Sequence, residues 1–304
     1  MITEITNFDD FSLWMYCIVE DTWREVKDLF RRPGPAPLCS DSELMTMTLV
    51  GECKGWSVET TLLSEWSEHT HLFPHIPSQS RYNRRRRGLM HAFNLVRRVA
   101  LRVLDVAQDR QCCIDTLPVP VVQFHLVPGA SREWAINGSE FGKVSSKKQT
   151  IYGYKMQLLV TLGGVILDFE LVPANVTDLQ GGYELLEEHT DLDAVGDKGY
   201  ISEPVAQMLM QGNNVCLMTV PRANQKRQLP SAVAQCLNKV RQIIETVNGQ
   251  LVDQLNLQTN HAHTFRGLCT RLYSKLTAHT LCIYINRLLA KPDFLRIKEL
   301  AFPI

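Results

Sequence analysis

Three acidic residues occupy positions from which their carboxylates could act together on a metal ion. Asp115 interrupts an apolar stretch, Asp197 ends a short apolar run, and Glu245 lies in a long segment of helical periodicity. Three carboxylates that converge from two strands and a helix would hold two Mg²⁺ ions, which prefer oxygen ligands and keep positions open for phosphate oxygens. Two such ions support displacement at phosphorus. The predicted chemistry therefore acts on a phosphodiester backbone.

Asp115 is expected near the end of an apolar strand that begins around Gln111. Pro118 and Pro120 disfavour a paired continuation, so the strand should stop near Thr116. A carboxylate in such a strand is costly to bury unless it is paired or binds a cation. This cost favours a functional role for Asp115.

Asp197 follows a second short strand and lies between two glycines. Gly196 and Gly199 are expected to adopt positive φ in a tight turn from the strand to a helix. The carboxylate would then project at the carboxyl edge of a sheet, where open α/β sheets bind ligands. The alternative role for Asp197 is that of a helix N-cap near Ser202.

Basic residues are concentrated in two segments, although the net charge of the 304 residues is zero. Residues 81–102 contain eight arginines and no acid, and residues 221–241 contain five basic residues and no acid. Patches of this kind are typical of proteins that bind a nucleic-acid backbone, and solvated surface charge is the alternative. Four consecutive arginines at the start of a helix would present cations on all its sides. The arginines expected to contact DNA phosphates are Arg81, Arg84, Arg85, Arg86 and Arg87.

The elements that carry these residues follow from periodicity and turn signals. Short helices are expected up to about residue 105, including one after a capping box at Ser40–Glu43. A long polar loop should span residues 123–148, and a hairpin with its turn at Gly163-Gly164 should follow. A helix over residues 231–256 would place Arg241, Glu245 and Asn248 on one flank. The alternative to a functional role for Arg241 and Glu245 is a simple ion pair between them on the surface of the helix. Residues 265–289 are expected to form an amphipathic helix.

Composition bounds the class of protein. A chain that is 45% hydrophobic and 21% charged can build one or two proper cores. No apolar run is long enough for a membrane span and the first ten residues do not resemble a signal peptide, so the expected location is the cytoplasm, in association with the nucleoid. Nine cysteines without a C-x-x-C pair, most of them in apolar runs, are expected to be buried free thiols.

The sequence resembles the bacterial insertion-sequence DDE transposases, whose catalytic domain has the ribonuclease H-like fold. The motifs that carry the resemblance are Ile114-Asp115-Thr116-Leu117-Pro118-Val119-Pro120, Tyr152-Gly153-Tyr154-Lys155, Ala174-Asn175-Val176-Thr177-Asp178, Gly196-Asp197-Lys198-Gly199-Tyr200 and Arg241-x-x-x-Glu245-Thr246. Each motif is weak alone, but their order and context make the match specific. The pattern Tyr-x-x-Arg-x-x-x-Glu-x-x-x-x-x-x-Lys of several such families is only partly present. Asn238 replaces its tyrosine and Val252 replaces its lysine.

The resemblance implies a fold, a site and partners. The fold would be α/β, a ribonuclease H-like mixed sheet flanked by helices, with an all-α N-terminal domain. Residues 1–105 would bind DNA through the arginine-rich helix, residues 106–292 would form the catalytic domain, and residues 293–304 a short tail. Asp115, Asp197 and Glu245 would be the catalytic, metal-binding triad.

The implied cofactor is a pair of Mg²⁺ ions, for which Mn²⁺ can substitute. The implied partner is double-stranded DNA, both the terminal inverted repeats of the element and the target, bound by a homodimer with no membrane involved. Further DNA contacts are assigned to Lys147, Lys148, Lys198 and Arg241.

Three alternatives stay open at this stage. The chain could be a catalytically inactive or domesticated DNA-binding protein, or a cellular nuclease of the same fold that hydrolyses without strand transfer. A zinc site at His261, His263 and Cys269 is the third, and it lacks a fourth ligand and a standard spacing.

Overall fold

The structure is a computed structural model that describes residues 4–31, 33–106, 109–144, 149–221, 228–259 and 261–302. The chain divides into two units, one formed by residues 1–104 together with 250–304 and the other by residues 105–249. The predicted domain boundaries differ from this division, because they assigned residues 250–292 to the catalytic domain. No helix in the described ranges combines the length and apolar composition that a membrane span requires.

The first unit is helical. A capping box opens its second helix as predicted, with the Ser40 hydroxyl accepting from the Glu43 amide and the Glu43 carboxylate accepting from the Ser40 amide. A π-helical turn at Gln250–Gln254 leads into its C-terminal part. The helices are α1 (Phe8–Val26), α2 (Asp41–Lys54), α3 (Glu59–Ser67), α4 (Gln79–Gly88), α5 (Met90–Val103), α10 (Phe265–Leu288) and α11 (Lys298–Ala301).

Helix α10 is the centre of this unit and packs against α5, α2, α1 and α4. The prediction of an amphipathic helix is wrong, because sixteen of its 24 residues are buried and they occupy all sides. Polar residues such as Arg271, Ser274 and Lys275 are buried here because α2, α3 and α4 supply their ionic and hydrogen-bond partners.

The arginine-rich segment forms two helices rather than one. Helix α4 ends at Gly88 and α5 begins at Met90, so the four arginines lie in the last turns of α4 and not at the start of the following helix. Cations are favourable there because the helix dipole is negative at its C-terminus. The expectation of cations on all sides is also wrong, since Tyr82 and Arg86 are buried one turn apart.

The second unit is built on a six-stranded mixed sheet with the order β2-β3-β1-β5-β6, in which β4 also pairs with β3. Strands β1, β5 and β6 are parallel to one another, and β3 is antiparallel to β1, β2 and β4. This arrangement is the predicted ribonuclease H-like fold. The strands are β1 (Gln111–Val122), β2 (Glu140–Val144), β3 (Gln149–Thr161), β4 (Ile166–Pro173), β5 (Leu192–Gly196) and β6 (Val215–Thr219).

Helices cover both faces of the sheet. Helices α7 (Asp178–Glu187) and α8 (Glu203–Asn213) enclose a core with alternate residues of β1, among them Cys112 and Ile114. Helix α9 (Ser231–Gly249) packs on β1 and β5, and the Cys113 thiol donates to the Val240 carbonyl at 3.1 Å. Because strand side chains alternate between faces, Asp115 lies on the α9 side with Cys113. A short helix, α6 (Arg132–Ile136), precedes β2.

Two expectations for this unit are wrong. Strand β1 continues through both prolines to Val122, where we expected it to stop near Thr116. The prolines are two residues apart, so their missing N–H groups share one edge of the strand, and β5 pairs with β1 only as far as Cys113. The predicted loop over residues 123–148 contains β2, which pairs with the first residues of β3, ahead of those that pair with β4.

Candidate active site

Two aspartates are brought together by the register of parallel strands. Cys113 on β1 is paired with Val195 on β5, and Asp115 and Asp197 each follow two residues later. Residues two apart on a strand point to the same face, and neighbouring strands lie about 4.8 Å apart. The charge of Asp197 acts on the Asp115 carboxyl, as this placement requires.

Asp197 follows β5 directly and caps a single 3₁₀ turn, Lys198–Tyr200, with its Oδ1 accepting from the Gly199 amide at 2.6 Å. The alternative N-cap role is thus realised in this turn rather than in α8, which Ser202 caps. The predicted positive φ of Gly196 and Gly199 is wrong. The glycines are needed for space, since a Cβ at Gly199 would lie 2.8 Å from Asp197 Oδ1.

Asp115 is partly buried in the middle of β1 rather than at its end. Burial is the largest cause that raises the pKa of its carboxyl, to about 6, and the charges of Asp197 and Asp178 raise it further. The Thr116 backbone amide and the Arg241 guanidinium act in the opposite direction. Asp115 therefore has an unusually costly negative charge, which a bound cation would stabilise.

Asn248 on α9 is the residue that contacts Asp115. Its Nδ2 donates to Asp115 Oδ2 at 2.8 Å, and its Oδ1 is buried without a hydrogen-bond partner. The sequence placed Asn248 on the flank of α9 without giving it a role. The available signal was its position three residues after Glu245, which puts both side chains on one helical face.

Glu245 is not beside the two aspartates. Its side chain is 59% exposed and its Oε1 lies 3.5 Å from Arg241 Nη2, one turn earlier on α9. The predicted surface ion pair is thus present. Within the described ranges, the ligand oxygens of Asp115, Asp197 and Glu245 do not all lie within 4.8 Å of one another. The strand register brings the two aspartates together, and the glutamate is paired with Arg241.

A third carboxylate, that of Asp178, is also close to this site. A Cβ at Gly199 would lie 3.5 Å from Asp178 Oδ2, and Lys155 Nζ donates to Asp178 Oδ1 at 3.0 Å. Lys155 also donates to the Val176 carbonyl at 2.9 Å, which fixes the start of α7 beside Asp197. Lys155 and Asp178 belong to motifs quoted for the resemblance, but no residue pattern indicated that they form a pair.

Residues 114–264 match the family model described as "Transposase DDE domain". The chain therefore carries the DDE domain of a transposase. The matched range contains Asp115, Asp197, Glu245 and Asn248. The search of curated proteins found no match, and the search of solved structures found none either.

The residues expected to bind DNA occupy different environments in the transposase. Arg81, Arg84 and Arg87 are exposed on α4, and Lys198 is exposed after β5. Arg85 Nη2 instead lies 2.7 Å from Asp41 Oδ1, and Arg86 is 4% exposed with its Nη2 2.8 Å from Glu52 Oε1. Arg241 is engaged with Glu245, and Lys147 and Lys148 lie outside the described residues.

The zinc alternative at His261, His263 and Cys269 is not supported, because the three ligand atoms do not all lie within 4.8 Å of one another. All nine cysteines of the transposase are free thiols, as expected, but only five of them are buried. Cys216 and Cys269 are partly buried, and Cys17 and Cys236 are exposed, contrary to the expectation of burial. Burial raises the pKa of the Cys113 thiol to about 11, so this residue beside the site is a neutral packing group.

Proposed function

We propose that this transposase cuts DNA at the ends of its element and joins the freed 3′ ends to target DNA, with two divalent metal ions held at Asp115 and Asp197. The observation that carries the proposal is the register of β1 and β5, which brings two carboxylates from parallel strands to one edge of a ribonuclease H-like sheet. Ligand sites in open α/β sheets lie at this edge.

The donor set fits a hard cation. Carboxylate and amide oxygens are the ligands that Mg²⁺ and Mn²⁺ prefer, and Asn248 Oδ1 is a buried oxygen that lacks a donor. Asp115, Asp197 and Glu245 would hold the ions, which supply activation of an attacking oxygen and stabilisation of the leaving oxygen. Asn248 orients the Asp115 carboxylate through its amide N–H.

Glu245 would complete the site by turning from Arg241 toward the aspartates. An exposed i,i+4 ion pair is worth only about 0.3–0.5 kcal/mol, so little free energy opposes this change. A DNA phosphate would also compete for the guanidinium of Arg241. The glutamate and the arginine would then act on the metal and on the DNA respectively.

DNA binding is assigned to the exposed arginines of α4, Arg81, Arg84 and Arg87, with Lys198 and Arg241 near the carboxylates. Exposed guanidinium groups on one helix are available to contact the phosphates of a nucleic-acid backbone. The further proposals are a homodimer on paired element ends, double-stranded terminal repeats and target DNA as partners, and association with the nucleoid.

The experiment incubates the purified protein with a labelled duplex that carries the DNA flanking its gene, in Mg²⁺ or Mn²⁺. Asp115→Asn and Asp197→Asn are compared with Asp109→Asn, the same change at an exposed residue ahead of β1. Cleavage at a defined end and transfer into a second duplex, lost in the first two variants and retained in the third, would support the proposal.

Three results would contradict the proposal. Cleavage without transfer would identify a nuclease, and DNA binding without cleavage would identify an inactive or regulatory protein. Full activity of Asp197→Asn would refute the assignment of the site itself.

A further inference from the structure

The helical unit contains a cavity of about 410 Å³ between α4, the N-terminus of α10 and the segment before it. Three arginines line it: Arg86 and Arg87 from α4, and Arg271 from α10. His261 and His263 contribute to the lining and are exposed, and Asn83 is the neighbouring amide of α4. None of the lining residues belongs to the carboxylate site, and Arg87 is one of the arginines assigned above to DNA binding.

The charges around the cavity do not balance. Glu59 lines it and lies 3.1 Å from Arg271 Nη2 and 3.8 Å from Arg86 Nη1. Behind the lining, Glu52 contacts Arg86 and Lys275. Four cations, counting Arg87, thus face two carboxylates.

The pKa values of two of the three buried cations are lowered. Burial lowers the pKa of Lys275 and of Arg271, and the positive charge of Arg86 lowers both further. The pKa of Arg86 itself is raised, because the charges of Tyr82, Glu52 and Glu59 outweigh its burial. A further anion would therefore stabilise Arg271 and Lys275, which share the two carboxylates with Arg86.

The side chains that line the cavity are suited to a tetrahedral oxyanion. Arg86 is 4% exposed and Arg87, one position further along α4, is exposed. Thr264, the N-cap of the 24-residue helix α10, lines the cavity, so the positive end of that helix dipole is directed at it. Guanidinium forks bind phosphate oxygens in a bidentate manner.

We propose that this cavity binds a phosphate group of the DNA backbone. The phosphate would accept hydrogen bonds from Arg86 and Arg87, and the cavity would fix the position of one strand on the helical unit. The inference rests on the proposed function only in that DNA is the ligand. It assigns Arg271, His261 and His263 a role in DNA binding. It also allows the buried Arg86 to contact a phosphate that enters the cavity.

The first arm of the test uses inorganic phosphate. At constant ionic strength, phosphate should raise the Tm of the wild type and of Arg98→Gln, which removes an exposed arginine of α5 that does not line the cavity. The rise should be smaller for Arg87→Gln and for Arg271→Lys, which keeps the charge beside Glu59 but loses the fork. Circular dichroism of each variant confirms that it is folded.

The second arm measures binding of a duplex over a range of salt concentrations. For Arg87→Gln, the affinity at low salt should fall about tenfold and the slope of log K against log salt should decrease by about 1. Arg271→Lys should lose affinity with its slope unchanged, since the lysine still neutralises a phosphate. Arg98→Gln should bind as the wild type does.

Equal effects of all three substitutions in both arms would overturn the proposal. Stabilisation by phosphate with no specific change in DNA binding would also overturn it, because the cavity would then hold a free anion. Cleavage assays separate this inference from the proposed function. If Asp197→Asn keeps full cleavage activity while the cavity variants lose DNA affinity, the phosphate site is supported and the catalytic proposal is refuted.

Discussion

The buried ion network of the helical unit gives a sharp prediction about stability. Glu52 is 5% exposed and accepts from Arg86 Nη2 and Ser274 Oγ, each at 2.8 Å, and from Lys275 Nζ. Burial alone would raise the pKa of Glu52, but the charges of Lys275 and Arg86 outweigh it and lower that pKa. The glutamate is therefore ionised and holds two buried cations.

Glu52→Gln preserves the shape of the side chain and removes the charge. Arg86 would then keep Glu59, which already pairs with Arg271, and Lys275 would keep the Leu255 carbonyl. Breaking a buried ion pair at one partner costs about 3–5 kcal/mol, and we expect a loss in this range for the free energy of unfolding.

Lys275→Met tests whether charge balance is the cause. It leaves Glu52 Oε1 with Arg86 and Ser274 and removes one of the excess cations, and the hydrogen bonds of Lys275 to Glu52 Oε2 and to the Leu255 carbonyl are lost. We expect a cost of about 2 kcal/mol, about 1 kcal/mol for each lost hydrogen bond. Glu20→Gln, which breaks an exposed pair with Arg24, should cost about 0.3–0.5 kcal/mol.

Tryptophan fluorescence in urea is the appropriate assay, because four of the five tryptophans lie in the helical unit. The transition followed by this probe reports that unit even if the sheet unit unfolds separately. If Lys275→Met were as destabilising as Glu52→Gln, the reasoning from charge balance would be refuted.

Three further predictions concern titration in the metal-free protein. The pKa of Asp115 is raised to about 6, so the folded state binds a proton at this carboxyl more tightly than the unfolded state does. The free energy of unfolding should therefore fall by about 2–3 kcal/mol as pH rises from about 4 to 6. Asp115→Asn should abolish this fall in urea titrations. Burial lowers the pKa of His279 to about 4, so the unfolded state binds a proton at this imidazole more tightly than the folded state does. The free energy of unfolding should therefore fall by about 3 kcal/mol as pH decreases from about 6.5 to 4. This fall should be smaller in His279→Gln. Asn248→Ala should raise the pKa of Asp115 by about one unit in carboxyl NMR titrations, because the carboxylate loses a donor; an unchanged value would exclude the hydrogen bond.

The sequence predicted correctly those features that depend only on residues close to one another along the chain. The capping box before α2, the hairpin turn at Gly163-Gly164 and the flank of α9 each depend on residues a few positions apart. The end of β1 was missed because proline excludes a strand only where a partner needs its N–H, and the pairing of β5 with β1 stops at Cys113. That limit is set by a strand about eighty residues away along the chain.

The arginines of α4 show that the sequence likewise does not determine which charged side chains are buried. Arg84 and Arg86 are two residues apart in the same run, yet one is exposed and the other is buried against Glu52. Composition counts both as surface cations. The direction in which α4 packs depends on Tyr82, whose hydroxyl lies 2.8 Å from Thr48 Oγ1 on α2. A pattern of charges cannot reveal which arginine a partner helix covers.

The placement of Glu245 follows from the geometry of one helix. Periodicity predicted that Glu245 and Asn248 share a flank of α9, but residues three apart differ by about 4.5 Å along the helix axis. The level of α9 relative to β1 decides which side chain reaches Asp115, and packing such as the contact of Cys113 with Val240 sets that level. In the structure this level selects Asn248. If Glu245 joins the metal site, its longer side chain must therefore span the difference by leaving Arg241, whereas Asn248 needs no movement to remain beside Asp115.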